Sequence, residues 1–193
     1  MNVTQTNRNI EDLAPKAQVA IKLLFQECYK AGIVSIFVTE TYRSLDRQKY
    51  LYAQGRTRPG NIVTWTLNSN HANRLAWDIA CSPPLSLYDV NTLTKVGNIA
   101  KKLGITWGGN WKNNIDRPHF EINSNWSIPK GYSLEGIVKI PTNSKDKVKW
   151  EGNKVKNKYE VVEDKDSKVW RIQSGTFKTK EDAINAFNKS GLT

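Results

Sequence analysis

The sequence contains two histidines, and each of them lies close to an aspartate. His71 is followed seven residues later by Asp78, and His119 is preceded by Asp116 at a distance of three residues. Zinc sites that hydrolyse amide bonds use three protein ligands and keep a fourth position for water. His71, Asp78 and His119 could supply such a set, and Asp116 would then lie beside the metal as a general base.

These pairs also have a simpler explanation. A histidine near an aspartate is commonly a surface pair or a capping contact, so each pair by itself is weak evidence for catalysis. Two such pairs in a chain with no other histidine favour the metal interpretation. The residue chemistry alone leaves both explanations open.

Hydrophobic periodicity and capping signals predict the elements that must position these residues. Ser44 is a suitable N-cap and places Arg43 at a corner between a strand and a helix. The expected fold class is α+β, with a small antiparallel sheet flanked by helices. The predicted order is a helix over 13–31, a strand over 33–42, a helix over 44–55, a surface loop over 56–70, a strand over 75–82, a helix over 93–103 and short strands over 105–107 and 119–122.

The composition changes after residue 137, where a polar and weakly periodic segment begins. Such a segment is typical of a linker. We therefore predict a catalytic domain over 1–137, a linker over 138–157 and a small β-β-α domain over 158–193. The predicted elements of this last domain are strands over 158–163 and 168–177 and a helix over 179–190.

Composition and charge narrow the class of protein. The 193 residues are 38% hydrophobic and 24% charged, which excludes a disordered tail, a collagen-like repeat and a disulfide-stapled miniprotein. A formal charge of +11 favours a polyanionic partner: nucleic acid, anionic lipid or cell-wall polymer. Cys28 and Cys81 lie in apolar surroundings without CxxC spacing, so we expect buried thiols.

No apolar run approaches the roughly 20 residues that a bilayer span requires. The N-terminus lacks the basic and then apolar pattern of a signal peptide. We therefore expect synthesis in a cytoplasm and no membrane insertion.

Two longer motifs carry a family resemblance. Residues 69–78, SNHANRLAWD, resemble the SxHxxGxAxD signature of the VanY/LAS-type zinc peptidases, and residues 116–120, DRPHF, resemble their DxPHF motif. The segments 42–44, 52–57 and 107–109 are similar to those of the L-alanyl-D-glutamate peptidases among bacteriophage endolysins. The resemblance covers about residues 10–125.

The resemblance implies a zinc ion bound by His71, Asp78 and His119, with Asp116 as the general base, in the LAS or hedgehog-type fold. Arg43 would hold a substrate carbonyl or carboxylate near the metal, because a fixed guanidinium suits a developing oxyanion. A salt bridge with a carboxylate of the first helix is the alternative role for Arg43.

Weaker candidates surround these residues. Gln48 and Ser69 would bind substrate or orient a ligand. Of the tryptophans at 65, 77, 107 and 111, only Trp111 is expected in a cleft, and the others in the core. Arg74 stands where the signature has glycine, which implies an altered loop or a bulkier rim near His71. Asn110 stands where an acidic residue is common in relatives.

The implied function is that of a peptidoglycan hydrolase that cleaves the L-alanyl-D-glutamate bond of the stem peptide. As an endolysin, it would be made in the host bacterial cytoplasm and would act on the wall after release. A D-alanyl-D-alanine carboxypeptidase is the alternative within the same fold, and a non-catalytic wall- or nucleic-acid-binding protein is the alternative of another class. The expected partners of the hydrolase are peptidoglycan and anionic wall polymers rather than nucleic acid, and we expect a monomer.

The C-terminal segment carries a second resemblance. Residues 169–177, VWRIQSGTF, and residues 179–183, TKEDA, resemble one half of a SPOR-type peptidoglycan-binding domain. This resemblance implies wall targeting. A small accessory subdomain with a solvated lysine-rich face is the alternative.

Overall fold

A computed structural model describes residues 2–152, 162–164, 169–172 and 175–177. The chain divides into two units, Met1–Gly152 and Asn153–Thr193. The first unit is α+β, as the sequence predicts. Its helices are α1 (Pro15–Lys30), α2 (Leu45–Ala53) and α3 (Val90–Lys102), and its strands are β1 (Ile36–Glu40), β2 (Ala76–Cys81), β3 (Thr106–Trp107), β4 (His119–Glu121), β5 (Ile137–Lys139) and β6 (Lys149–Glu151).

A four-stranded sheet with the order β1-β2-β4-β3 forms the centre of this unit. Its strand pairs are antiparallel, and the register places Asp78 opposite both Glu40 on β1 and His119 on β4. The pairing of β1 with β2 is irregular between Val38 and Glu40. The polar end of the sheet therefore brings together side chains from three strands.

Two helices begin at a side-chain cap, of which only Ser44 was predicted, and α3 begins at Val90 rather than at residue 93. The Ser44 hydroxyl accepts a hydrogen bond from the backbone N–H of Arg47, and the Asp89 carboxylate accepts one from Thr92. Helix α1 begins with a proline at its first position and buries an apolar face in the core. Both cysteines are buried and unpaired, as predicted.

The predicted linker begins in a segment that the structure places within the first unit. Strands β5 and β6 pair with each other and contact α1, and Val148 is buried in the core. The Trp150 ring lies 5.9 Å from the Tyr29 ring. These short strands lack a clear alternation of apolar and polar residues, so the sequence does not predict them. Packing on α1 stabilises them instead.

Three strands are described in the second unit: β7 (Val162–Asp164), β8 (Val169–Ile172) and β9 (Gly175–Phe177). They form an antiparallel sheet in sequence order. The single strand predicted over 168–177 is thus two strands, with Gly175 directly opposite Ile172. The helix predicted over 179–190 and the linker residues 153–157 lie outside the described residues.

Within the described part of the chain, no helix combines the length and apolar character that crossing a membrane requires.

Candidate metal centre

Three nitrogen and oxygen atoms form a nearly equilateral triangle at the polar end of the sheet. His71 Nε2 lies 3.2 Å from Asp78 Oδ1 and 3.3 Å from His119 Nδ1, and the last two atoms are 3.2 Å apart. Asp78 and His119 are directly paired residues of β2 and β4, and His71 lies in the loop before β2. The structure therefore brings together the three residues that the sequence predicts as ligands.

This triangle has the dimensions of one face of a tetrahedral metal site. Ligand bonds of about 2.0–2.1 Å place the donor atoms of a tetrahedron roughly 3.3–3.4 Å apart. Two imidazole nitrogens and one carboxylate oxygen suit zinc and neighbouring transition metals better than magnesium or calcium. The group fits a metal ion by both distance and donor chemistry.

Hydrogen bonds to the remaining ring nitrogens select the histidine tautomers. His71 Nδ1 lies 2.6 Å from the carbonyl oxygen of Thr41, which can only accept a hydrogen bond. His119 Nε2 lies 3.0 Å from a carboxylate oxygen of Glu121. These acceptors assign the proton of each neutral ring to the outward nitrogen, so the inward nitrogen is the one that can donate a lone pair to a metal.

Charge interactions within the triangle shift two pKa values in opposite directions. Burial disfavours the Asp78 carboxylate, but the two histidines outweigh this effect and hold its pKa well below its usual range. Burial also disfavours a charged His119, yet hydrogen bonds to Asp78 and Glu121 outweigh it and raise the pKa of His119 to about 9. The triangle is thus a strong site for a positive charge.

Asp116, the predicted base, lines the same cavity as the triangle. Its backbone N–H donates to the carbonyl of Gly108 over 3.1 Å. A side chain at position 108 would collide with the Asp116 carbonyl, since a Cβ there would lie 2.4 Å from that oxygen. Burial and the neighbouring charge of Asp78 raise the pKa of Asp116. Such a shift makes the carboxylate a stronger base.

Arg43 forms a buried hydrogen-bond network beside Asp78. Its guanidinium donates to Glu40 over 2.6 Å and to Gln48 over 2.9 Å, and one nitrogen lies 3.7 Å from Asp78 Oδ2. Its Nε–H is buried and has no hydrogen-bond partner among the described residues. The salt-bridge partner is therefore a carboxylate at the end of β1 rather than one on the first helix.

Gln48 and Ser69 both form hydrogen bonds to residues around the triangle. The Gln48 side chain is fully buried and donates to Thr64 Oγ1 and to the Thr66 carbonyl, besides accepting from Arg43. The Ser69 hydroxyl accepts a hydrogen bond from the His71 backbone N–H and lines the cavity. Gln48 thus contacts the arginine and the cavity wall rather than the cavity itself.

The cavity in front of the triangle has a volume of about 840 Å³. Trp111 lines it, as predicted, with its ring centre 5.1 Å from that of His119. Trp77 and Trp107 are buried in the core as expected, whereas Trp65 is 58% exposed on the cavity wall. The expectation that Trp65 is a core residue was wrong, because Trp65 lies in the exposed loop between α2 and β2.

Arg74 adopts the backbone conformation that its position demands of glycine. Its φ is +61°, in the left-handed region that side chains rarely occupy. The guanidinium stacks over the Tyr42 ring at 4.2 Å and donates to the Asp12 carbonyl. The side chain thus contacts Tyr42 and Asp12 and does not line the cavity, so it forms no bulky rim there. Asn110 ends a short 3-10 helix, Gly108–Asn110.

Sequence reasoning missed two carboxylates that contact the predicted residues. Glu121 follows His119 by two positions on β4, so strand alternation places both on one face, and this H-x-E spacing was an available signal. Glu40 binds Arg43 and Arg47, and this contact depends on how the chain turns after β1.

Comparisons with known proteins agree with the location of this site. Residues 63–122 match the family Peptidase_M15_4, described as D-alanyl-D-alanine carboxypeptidase. The peptidoglycan L-alanyl-D-glutamate endopeptidase CwlK of Bacillus subtilis (strain 168) is 40% identical in an alignment of 102 positions, which covers 46% of this chain and 61% of that protein. The match thus spans less than two thirds of the relative's length.

A solved structure, the L-Ala D-Glu endopeptidase ChiX of Serratia marcescens, aligns with a TM-score of 0.48 at 23% identity. The alignment covers 62% of this chain and 89% of that one.

Proposed function

We propose that this chain, which carries a Peptidase M15 domain, is a zinc peptidase that cleaves the L-alanyl-D-glutamate bond of peptidoglycan stem peptides. The triangle of His71, Asp78 and His119, with Asp116 beside it in one cavity, is the observation that carries the proposal. The printed activity of the CwlK relative supports the choice of bond.

His71 would hold the metal through Nε2, His119 through Nδ1 and Asp78 through Oδ1. When bound, zinc supplies a Lewis acid that polarises a carbonyl and lowers the pKa of water. The Asp116 carboxylate accepts a proton from the attacking water and returns it to the leaving amine. Its raised pKa suits both transfers, because a carboxylate that takes up a proton more readily can also return it as an acid.

Arg43 supplies the fixed positive charge of the site. Glu40 and Gln48 hold its guanidinium, so no side-chain freedom is lost when a substrate oxygen binds. We assign Arg43 to the carbonyl oxygen that becomes negative during attack. Ser69 and Trp111 line the cavity that receives the peptide, and Gln48 positions Arg43.

Two alternatives are kept as outcomes of the test. The description of the matching family favours a D-alanyl-D-alanine carboxypeptidase. The charge of +11 favours a wall-binding protein without catalysis.

We further propose that anionic wall polymers attract this basic chain, that it acts as a phage-type endolysin and that residues 158–193 bind the wall. The motif resemblances support the last two proposals.

The deciding experiment is digestion of purified peptidoglycan by the zinc-loaded protein, with mass spectrometry of the new termini. New glutamyl amines together with C-terminal L-alanine would establish the endopeptidase. Release of D-alanine alone would establish the carboxypeptidase. Binding without cleavage, unchanged in His119→Ala and reduced by salt, would establish the binding protein.

A further inference from the structure

Glu121 occupies a bridging position at the edge of the metal centre. One of its carboxylate oxygens lies 3.0 Å from His119 Nε2 and 2.9 Å from the side-chain nitrogen of Asn70. Asn70 directly precedes His71 in the chain, and Glu121 shares β4 with His119. The carboxylate therefore connects the loop that carries one proposed ligand with the strand that carries another.

The orientation of Asn70 is itself specified. Its side-chain oxygen accepts a hydrogen bond from the Asn73 amide over 3.2 Å, so its NH₂ group faces Glu121. A carboxylate only accepts hydrogen bonds. Both donors, Asn70 and His119, thus converge on Glu121, and the proton of His119 is retained on Nε2.

The hydrogen-bond acceptors of the two histidines differ in charge. The outward nitrogen of His71 meets a neutral backbone carbonyl, whereas that of His119 meets a carboxylate. A carboxylate behind an imidazole orients the ring and makes its other nitrogen a better electron donor to a metal. A neutral acceptor of the same shape would orient the ring with less of this electronic effect.

We propose that Glu121 is a positioning residue that makes His119 an Nδ1 ligand and increases the affinity of the centre for its metal. The proposal rests on the metal site of the proposed function and adds a residue outside the ligand set, the base and the arginine. Glu121 acts through His119 and Asn70 and not on the substrate.

The test measures metal affinity rather than activity. The full-length protein is stripped with a chelator and titrated with Zn²⁺ against a chromophoric competitor, and separately with Co²⁺ while the visible absorption is recorded. Glu121→Ala should weaken Zn²⁺ binding about 10–100-fold and change the Co²⁺ spectrum. Glu121→Gln keeps the shape of the side chain, so it should fold and show a smaller loss.

Glu135→Gln is the matched control, because Glu135 is a half-exposed carboxylate that pairs with Lys30 on α1 rather than with a residue of the centre. It should bind Zn²⁺ as the wild type does. Wild-type affinity and an unchanged Co²⁺ spectrum in both Glu121 variants would overturn the proposal, even if their metal-free forms unfold at lower temperature. Failure of the wild type to bind either metal would overturn the proposed function and this role together.

Discussion

Asp78 and His119 lie directly opposite each other on β2 and β4, and their side chains meet at 3.2 Å between Oδ1 and Nδ1. Side chains of a strand alternate between its faces, so a slip of one residue would separate the two groups onto opposite faces of the sheet. The register of a single strand pair therefore assembles two of the three proposed ligands. His71, held by the Thr41 carbonyl, completes the set from the adjoining loop.

Replacing Asp116 should separate catalysis from metal binding. In Asp116→Asn we expect zinc to remain bound while kcat falls about 10²–10⁴-fold, because the base is lost and the ligands are intact. In His119→Ala we expect both hydrolysis and bound zinc to be lost. Turnover of a defined muropeptide and metal content by mass spectrometry check the pair. Full activity in Asp116→Asn would remove Asp116 from the role of base.

Activity should be sensitive even to a conservative replacement of Arg43. Lysine cannot satisfy Glu40 and Gln48 with a planar fork, so Arg43→Lys should lower kcat/KM about 10²–10³-fold with zinc still bound. Arg47→Lys is the matched control, since Arg47 also binds Glu40 but donates to the Val3 carbonyl instead of facing Asp78. Equal losses of activity in both variants would indicate that Arg43 only stabilises the fold.

Metal binding should release a proton. The pKa of His119 is raised to about 9 in the metal-free protein, so below that pH the imidazole carries the extra proton that metal must displace. The apparent affinity should therefore rise about tenfold per pH unit until pH reaches the pKa of His119, and level off above it. Calorimetry in buffers of different ionisation enthalpy checks this expectation. Zinc binding with no proton release at pH 7 would contradict it.

Position 74 should tolerate glycine better than alanine. Arg74→Gly removes the cost of a left-handed side chain, about 1–2 kcal/mol, which offsets the lost stacking on Tyr42. Arg74→Ala keeps the strained backbone and loses the same contacts, so it should destabilise the protein by about 1 kcal/mol. Urea unfolding measures both. Hydrolysis should be unchanged in each variant. Altered cleavage specificity would instead indicate that Arg74 does form part of the rim of the site.

The first two helices and the strands of the central sheet follow from local patterns in the sequence. Helix α1 and strand β2 lie within one or two residues of their predicted ends, and Ser44 caps α2 as expected. Local periodicity and capping decide these elements, because they depend on neighbours within a few residues. Strands β5 and β6 were not predicted, because they are stabilised by packing against α1, which is distant in the chain.

The types of the site residues were readable from the sequence, because a metal site requires particular donor atoms and the chain has two histidines to offer. Of their outer partners, only Glu121 had a local signal, its spacing of two residues from His119 on β4. The contacts of Glu40 with Arg43 and of Asn70 with Glu121 depend on how the loops after β1 and before β2 are placed in the folded chain. Sequence alone determined which groups could carry the chemistry. Tertiary structure decided which nitrogen of His71 faces inward, because the Thr41 carbonyl that holds its other nitrogen follows the end of β1, 30 residues away in the chain.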